Sequence, residues 1–319
     1  MTALKARRYI PTSWKNFTAK MEELINYLKK KGCSKSTIES YKAINDIFLE
    51  WAASRHLEPC FIKYSELMDY VSHLKKRGIS QRTVQSYMIA IAHYFESLHQ
   101  SDPENHPTNP AGYLNIKSKQ AKKLYPNLNR EQLEALYTDY DLHLRNTKPT
   151  ARASAIRNKI AVGLMVYQGL EVTTLSALQV KDVDVLNGKV SIRRGRTYNE
   201  RTLALQAGQI IMLDRYINQT RKELQESFGK QDSDLLLITG YKHYREMHIR
   251  IVKRLRKQQP LLQSAHQLRA SVITLWLKQY NIREVQYMAG HRRIFSTEAY
   301  LQNDMEGLKV AVDKFHPLG

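Results

Sequence analysis

An internal echo constrains this chain more than any other feature of its sequence. KGCSKSTIESY at 31–41 returns as RGISQRTVQSY at 77–87, with Gly, Ser, Thr, Ser and Tyr at matching places. In each copy a basic run meets a glycine, then a serine, then apolar residues at helical spacing. Glycine accepts the left-handed backbone that closes a helix, and a serine hydroxyl satisfies the free amides that open the next. The pattern predicts two helical hairpins. Ser36-x-x-Glu39 fits a capping box at the start of one helix. After it Ile38, Tyr41, Ile44, Ile47, Phe48 and Trp51 form an apolar stripe, and Val84, Tyr87, Met88, Ile91, Tyr94, Phe95 and Leu98 form another. Both stripes read as core faces. Two copies are too few for a solenoid. The hairpin tips carry Lys35, Lys76, Arg77 and Arg82. Helix N-termini favour anions, so these tips suit phosphate contacts, and ordinary capping accounts for their hydroxyls equally well.

The charge is extreme and evenly spread. The 319 residues hold 50 Lys and Arg against 30 Asp and Glu, a formal charge of +20. Residues 1–125 carry 20 basic and 11 acidic side chains, and residues 126–319 carry 30 and 19. A surplus on both halves suits a surface that tracks a polyanion, nucleic acid before anionic lipid. The longest nearly unbroken apolar run, Ile160–Leu170, is too short to span a membrane, and the first residues hold no apolar signal segment. Two cysteines, Cys33 and Cys60, form no metal-binding or disulfide pattern. The expectation is a cytoplasmic protein without metal or cofactor.

The length suggests two domains. SDPENHPTNPAGYLNIKSKQAKKLYPN, 101–127, is rich in proline and includes Lys117, Lys119, Lys122 and Lys123, so a basic linker is placed at 106–125. Before it lie an N-terminal extension (1–15) and a helical domain (16–105), and after it a second domain (126–319). In that domain a helix starts near Asn129, and residues 152–168 form a buried one. Lys189–Arg193 and Arg201–Leu205 read as strands around the polar turn RGRTYNE. Gln206–Phe228 reads as one helix, Leu235–Ile238 as a short strand, and Arg245–Lys257 and Ala265–Gln279 as further helices. The fold class is mostly α with a small β-sheet.

One set of residues stands out for chemistry: His266-Gln267-Leu268-Arg269, then Gly290-His291, then Tyr300. His266 and Arg269 alone would single out nothing, and Tyr300 is one of 19 tyrosines. Their joint spacing is much rarer. HQLRASVITLWLKQ, EVQYMAGHRRIFSTEAY and the terminal KFHPL resemble the tyrosine recombinase (phage integrase) family, especially its Xer-type members, and the resemblance runs along nearly the whole chain. It implies a two-domain, C-shaped DNA clamp, with a SAM-like core-binding domain and a catalytic domain ending in a tail helix over Asp304–Asp313. It implies that Tyr300 attacks phosphorus to leave a 3′-phosphotyrosine, that Arg269 clamps the phosphate, and that His266 and His291 supply hydrogen-bond donors. Each role has a physical basis: a hydroxyl nucleophile, a bidentate guanidinium and imidazole proton shuttles.

Two positions depart from the family. Its T-G-L-R-x-x-E segment is matched here by Gln168-Gly169-Leu170-Glu171-Val172-Thr173-Thr174, so a glutamate stands where the family has an arginine. Like charges at ~4 Å and an effective dielectric of ~20 repel by about 4 kcal/mol, so Glu171 must turn away, pair with a cation, or mark an inactive enzyme. The hairpin turn in which the family keeps a lysine holds no lysine here and four arginines, Arg193, Arg194, Arg196 and Arg201, with Arg196 the match by spacing. Arginine is a poor acid and a good clamp. The expectation is a rearranged site in which a hairpin arginine supplies the clamp, oriented by a salt bridge from Glu171. Arg193, Arg194, Arg201, Lys122, Lys123 and Arg292 are expected on DNA. By this resemblance the chain is a site-specific recombinase acting on core sites of double-stranded DNA through a Holliday junction, as a dimer to tetramer. The alternatives are a same-fold accessory protein that no longer cuts and a topoisomerase-like nicking enzyme.

Overall fold

The computed structural model describes residues 14–106, 108–112, 114, 126–140, 142 and 148–301. The chain divides into two units, Met1–Lys122 and Lys123–Gly319. The N-terminal extension through residue 13, the lysines Lys117, Lys119, Lys122 and Lys123, and the tail over 304–313 lie outside the described residues.

In the first unit the echo becomes two equivalent junctions. Helix α1 (Trp14–Lys30) leads into α2 (Lys35–Ser54), and α3 (Tyr64–Lys76) leads into α4 (Gln81–Ser101). Gly32 and Gly78 adopt φ of 70° and 74°. Each lets the next residue's N–H reach back to the helix it closes: Cys33 to Leu28 O at 3.0 Å, Ile79 to Leu74 O at 3.1 Å. Ser34 and Ser80 then cap α2 and α4, their hydroxyls accepting from the amides of Thr37 and Thr83, both at 3.2 Å. The cap is therefore Ser34, not Ser36. The left-handed turn at Gly32 starts the new helix at Lys35, which places Ser36 inside its first turn, on the exposed side.

Both stripes face the core except Ile47, which is exposed, and Ile44, which is half-buried beside it. Tyr70 packs against Phe48 and Trp51 at centroid distances of 5.1 and 4.8 Å. Buried Asn45 pins α2 to α4 by donating to Ala90 O at 3.2 Å. Lys35, Lys76, Arg77 and Arg82 are exposed at the two junctions.

The second unit surrounds α6 (Pro149–Val166), whose second half, Ile160–Val166, is apolar on every side and fully buried. Before it runs α5 (Arg130–Thr138), capped by Asn129, and after it the short α7 (Val172–Ala177). Strands β1 (Val183–Asp184), β2 (Lys189–Ile192) and β3 (Arg201–Ala204) form an antiparallel sheet in that order, with Val190 opposite Leu203 and Ile192 opposite Arg201. Helices α8 (Ala207–Arg215), α9 (Arg221–Ser227), α10 (Tyr244–Gln258), α11 (Ala265–Leu277), α12 (Ile282–Ala289) and α13 (Phe295–Leu301) complete it.

Two expectations fail for tertiary reasons. The predicted helix 206–228 is interrupted by a π turn at Tyr216–Thr220, and the fully buried Tyr216 donates its hydroxyl to Leu236 O at 2.8 Å. Leu235–Ile238 is no strand: it has a single bridge, Leu235 to Gln179. Side chains take its carbonyls instead, Tyr216 at Leu236 and Arg157 at Ile238, the latter at 2.7 Å. No helix among the described residues is long and apolar enough to cross a membrane.

Candidate active site

Ser264 sets the start of α11 by accepting from Gln267 N at 3.2 Å. His266 thereby falls in the first turn and stays exposed, while Arg269, a turn later, is buried at 5% exposure. Arg269 is held at both tips of its fork. Nη1 donates to Gly169 O at 2.7 Å and Nη2 to Ala289 O at 2.8 Å. Its Nε lies 2.9 Å from Glu171 Oε1, a charge contact rather than an aligned hydrogen bond.

Helix α12 ends at Gly290, whose φ of 71° lets His291 N reach back to Gln286 O at 3.0 Å. That turn brings His291 Nε2 to 3.3 Å from Arg269 Nη2. Arginine only donates, so Nε2 must be the acceptor and Nδ1 must carry the proton. Nδ1 therefore donates to Thr297 Oγ1 at 2.9 Å, and Thr297 is fully buried. One turn beyond Thr297 on α13, Tyr300 lays its ring over the imidazole, with centroids 5.7 Å apart and planes 9° from parallel. Burial pushes the His291 pKa down to about 4, and the charges of Arg269 and Arg201 push the same way, so the ring is neutral at pH 7. Burial raises the Tyr300 phenol above its usual range, opposed by the charge and hydrogen bond of Arg269 and reinforced by Glu171.

The β2–β3 hairpin closes on the same turn. Asn199 N donates to Gly290 O at 2.9 Å, Tyr198 pairs with His291, and exposed Arg292 donates to Gly195 O at 3.0 Å. Arg193 is tied to Asp182 at 2.8 Å, and Arg194 and Arg196 are exposed. Arg201 differs from the expectation that set it on the DNA-facing surface: it is buried, at 3% exposure. It shares the inward face of β3 with Leu203, and its guanidinium packs against Gly290, where a β-carbon would overlap it.

The structure thus brings Arg269, His291 and Tyr300 together with Glu171 and Arg201, and among the described residues His266 takes no part in their hydrogen bonds. Glu171 pairs with Arg269, the buried cation facing the start of α7, and its charge also acts on Arg201 of the hairpin. Sequence reasoning missed Thr297 and the inward turn of Arg201. Alternation along Arg201, Leu203 and Leu205 was the available signal for the second. Among the described residues, no group of three His, Cys, Asp or Glu is placed to hold a metal ion.

Residues 113–306 match the phage integrase family, and residues 21–104 match the N-terminal SAM-like domain of phage integrases. The chain is 24% identical to the tyrosine recombinase XerD of Vibrio cholerae over 302 residues, covering 90% of this chain and 92% of that protein. It is 26% identical to XerD of Oceanobacillus iheyensis over 309 residues, covering 93% and 98%. Among solved structures, the XerH site-specific recombinase bound to a palindromic difH substrate aligns with a TM-score of 0.70 at 22% identity, covering 92% of this chain and 88% of that one. A λ integrase (75–356) dimer bound to a COC′ core site aligns at 0.60 and 15%, covering 89% and 94%. The chain belongs to the phage integrase family, whose members are tyrosine-type site-specific DNA recombinases. An accessory protein that no longer cuts is not favoured.

Proposed function

We propose that Arg269, His291 and Tyr300 form the strand-transfer site, with Tyr300 as the nucleophile on a phosphodiester of double-stranded DNA. The observation that carries this reading is the stack of Tyr300 on His291, itself in contact with the buried guanidinium of Arg269. The phenolic oxygen bonds to phosphorus as the bond from phosphorus to the 5′-oxygen breaks. The phenol gives up its proton and the 5′-oxygen takes one up. The 3′-phosphotyrosine keeps the ester energy, so a 5′-hydroxyl can attack it and rejoin a strand. Arg269 offers its charge to the non-bridging oxygens as negative charge grows there. A phenol held above its usual pKa needs a proton acceptor in the transition state, and the Nε2 lone pair of the neutral His291 can serve once Arg269 turns its Nη2 donor from the ring to the phosphate. Complete exchange between two duplexes takes four cuts, and each chain has one Tyr300, which calls for protomers acting in pairs up to a tetramer. A cytoplasmic, DNA-associated location goes with this reading.

The test is a nicked suicide duplex that loses its 5′-hydroxyl fragment on cleavage, followed by a denaturing gel and peptide mapping. A covalent adduct on residue 300 supports the reading; no adduct returns the chain to the accessory role. Binding should also weaken steeply with salt, with a log–log slope of ~ −0.9 per phosphate neutralised. Titrations between 50 and 200 mM KCl (roughly the range over which such binding falls by decades) check this, and a flat response would remove the backbone-tracking role of the two basic units.

The effect of Glu171 can be given a sign. Arg269 is already fixed by two carbonyls, so the carboxylate is not needed to hold it. Its side chain is 48% exposed, which screens most of the ~4 kcal/mol Coulomb term and leaves roughly 1 kcal/mol of opposition to an incoming phosphate. Glu171→Gln should raise the single-turnover cleavage rate about five-fold. A slower Glu171→Gln enzyme would assign the carboxylate a positive role, as the rearranged-site expectation holds.

A further inference from the structure

Two buried arginines in the second unit are used very differently. Arg157, 3% exposed, spends its guanidinium on protein: Nη1 donates to Ile238 O at 2.7 Å, and Nε and Nη2 donate to Asn158 Oδ1 at 3.1 and 2.8 Å. Arg201 is equally buried, yet among the described residues it makes one long hydrogen bond, Nη1 to Asn199 O at 3.4 Å. Its Nε has no partner. A guanidinium carries five N–H donors, and leaving them unmade inside a protein is costly. Arg157 is a structural brace, whereas the donors of Arg201 are held in reserve.

Its position says for what. The guanidinium packs against Gly290, while Arg269 donates to Ala289 O, so the two cations grip the same turn from which His291 projects. Burial and the charge of Arg269 push the Arg201 pKa down to about 10, which leaves it charged at pH 7. Two positive charges thus share this site with one half-exposed carboxylate, Glu171, and a neutral imidazole. Buried like charges persist where an anion completes the set. One phosphodiester, with its single negative charge, balances the tally.

We propose that Arg201 is a catalytic residue, the second clamp on the scissile phosphate, whose guanidinium works beside that of Arg269. The proposal rests on the reading that Tyr300 attacks a phosphodiester here.

The test uses the full chain with Arg201→Lys and Arg201→Ala, on suicide duplexes carrying at the scissile position either a phosphodiester or a methylphosphonate. The methylphosphonate lacks the charged non-bridging oxygen that a second cation would neutralise. On the phosphodiester both variants should form adduct about 100-fold more slowly than the parent, the scale for loss of one transition-state donor. On the methylphosphonate the deficit of Arg201→Ala should shrink to less than ten-fold. A structural brace would lose equally on both substrates, and that result, or no loss on either, overturns the proposal. If thermal melting shows that Arg201→Ala does not fold, Arg201→Lys decides alone. It keeps the charge and loses the fork, so its deficit must be larger on the phosphodiester. If the parent chain gives no adduct, or one mapped away from residue 300, the reading of Tyr300 fails and this proposal with it. An adduct on Tyr300 with a substrate-independent Arg201 deficit removes this proposal alone.

Discussion

Tyr300→Phe will abolish the covalent adduct while leaving fold and DNA binding in place. The substitution removes one hydroxyl and keeps the ring that stacks on His291, so the packing of α13 against the 289–291 turn survives. The lost hydroxyl gives up its interaction with Arg269, a net change of about 1 kcal/mol in stability. The chemical loss is of another order. Without a nucleophile no phosphotyrosine forms, and the rate should fall by ~10⁶-fold, the scale for removing an enzyme's nucleophile. Two other phenols lie nearby and make the test sharp. Tyr287 accepts a hydrogen bond from Thr202 N at 3.1 Å, and Tyr198 lies under the Arg201 guanidinium at 5.6 Å. An adduct that persists in Tyr300→Phe and maps to Tyr287 or Tyr198 would move the nucleophile onto α12 or the hairpin. The measurement is adduct formation on the suicide duplex, with binding by gel shift as the control.

Local chemistry was legible in the sequence and long-range chemistry was not. Gly32 and Gly78 and the serines after them announce helix ends, because left-handed turns and capping hydroxyls depend on a few adjacent residues. Even there the sequence pointed to Ser36 with Glu39, whereas Ser34 with Thr37 makes the cap. The second copy agrees, since Ser80 and Thr83 repeat Ser34 and Thr37 and position 82 replaces Ser36 with arginine. The π turn at Tyr216 leaves no local mark, because its reason is a carbonyl at Leu236. The same contact, with Arg157, explains why an apolar segment that looks like a strand pairs at one residue only.

The site divides in the same way. His291 and Tyr300 sit at fixed offsets from Gly290, so turn geometry carries them together, and Thr297 completes the set one turn before Tyr300. The partner of Glu171 depends on how α7 meets α11, and spacing says nothing about that. Glutamate at a position where the family has arginine suggested a link to the hairpin; the carboxylate pairs with buried Arg269, and its charge reaches Arg201 of the hairpin as well. The burial of Arg201 was not legible because its neighbours in sequence, RGRTYNE, are polar and turn-like. Strand alternation across Leu203 outweighs that context and carries the side chain inward.

Arg269→Ala should cost both chemistry and stability, and the two losses can be separated. Removing a charge-stabilising donor lowers such rates by ~10²–10³-fold. The same truncation strips partners from the carbonyls of Gly169 and Ala289 and leaves Glu171 without its cation. Buried acceptors left unmade cost ~1–3 kcal/mol each, so a fall of several degrees in melting temperature is expected. Arg269→Lys keeps the charge and gives up the planar fork, which cannot then reach both carbonyls and a phosphate together. It should fold more stably than the alanine variant yet cleave nearly as slowly. The double variant Arg269→Ala, Glu171→Gln should cleave faster than Arg269→Ala alone, since it removes a carboxylate left facing the phosphate with less positive charge to offset it. Single-turnover adduct rates and thermal melts on the four proteins decide. If Arg269→Lys regains full cleavage along with its stability, Arg269 is a brace between α11 and the 289–291 turn, and the phosphate is held by other cations.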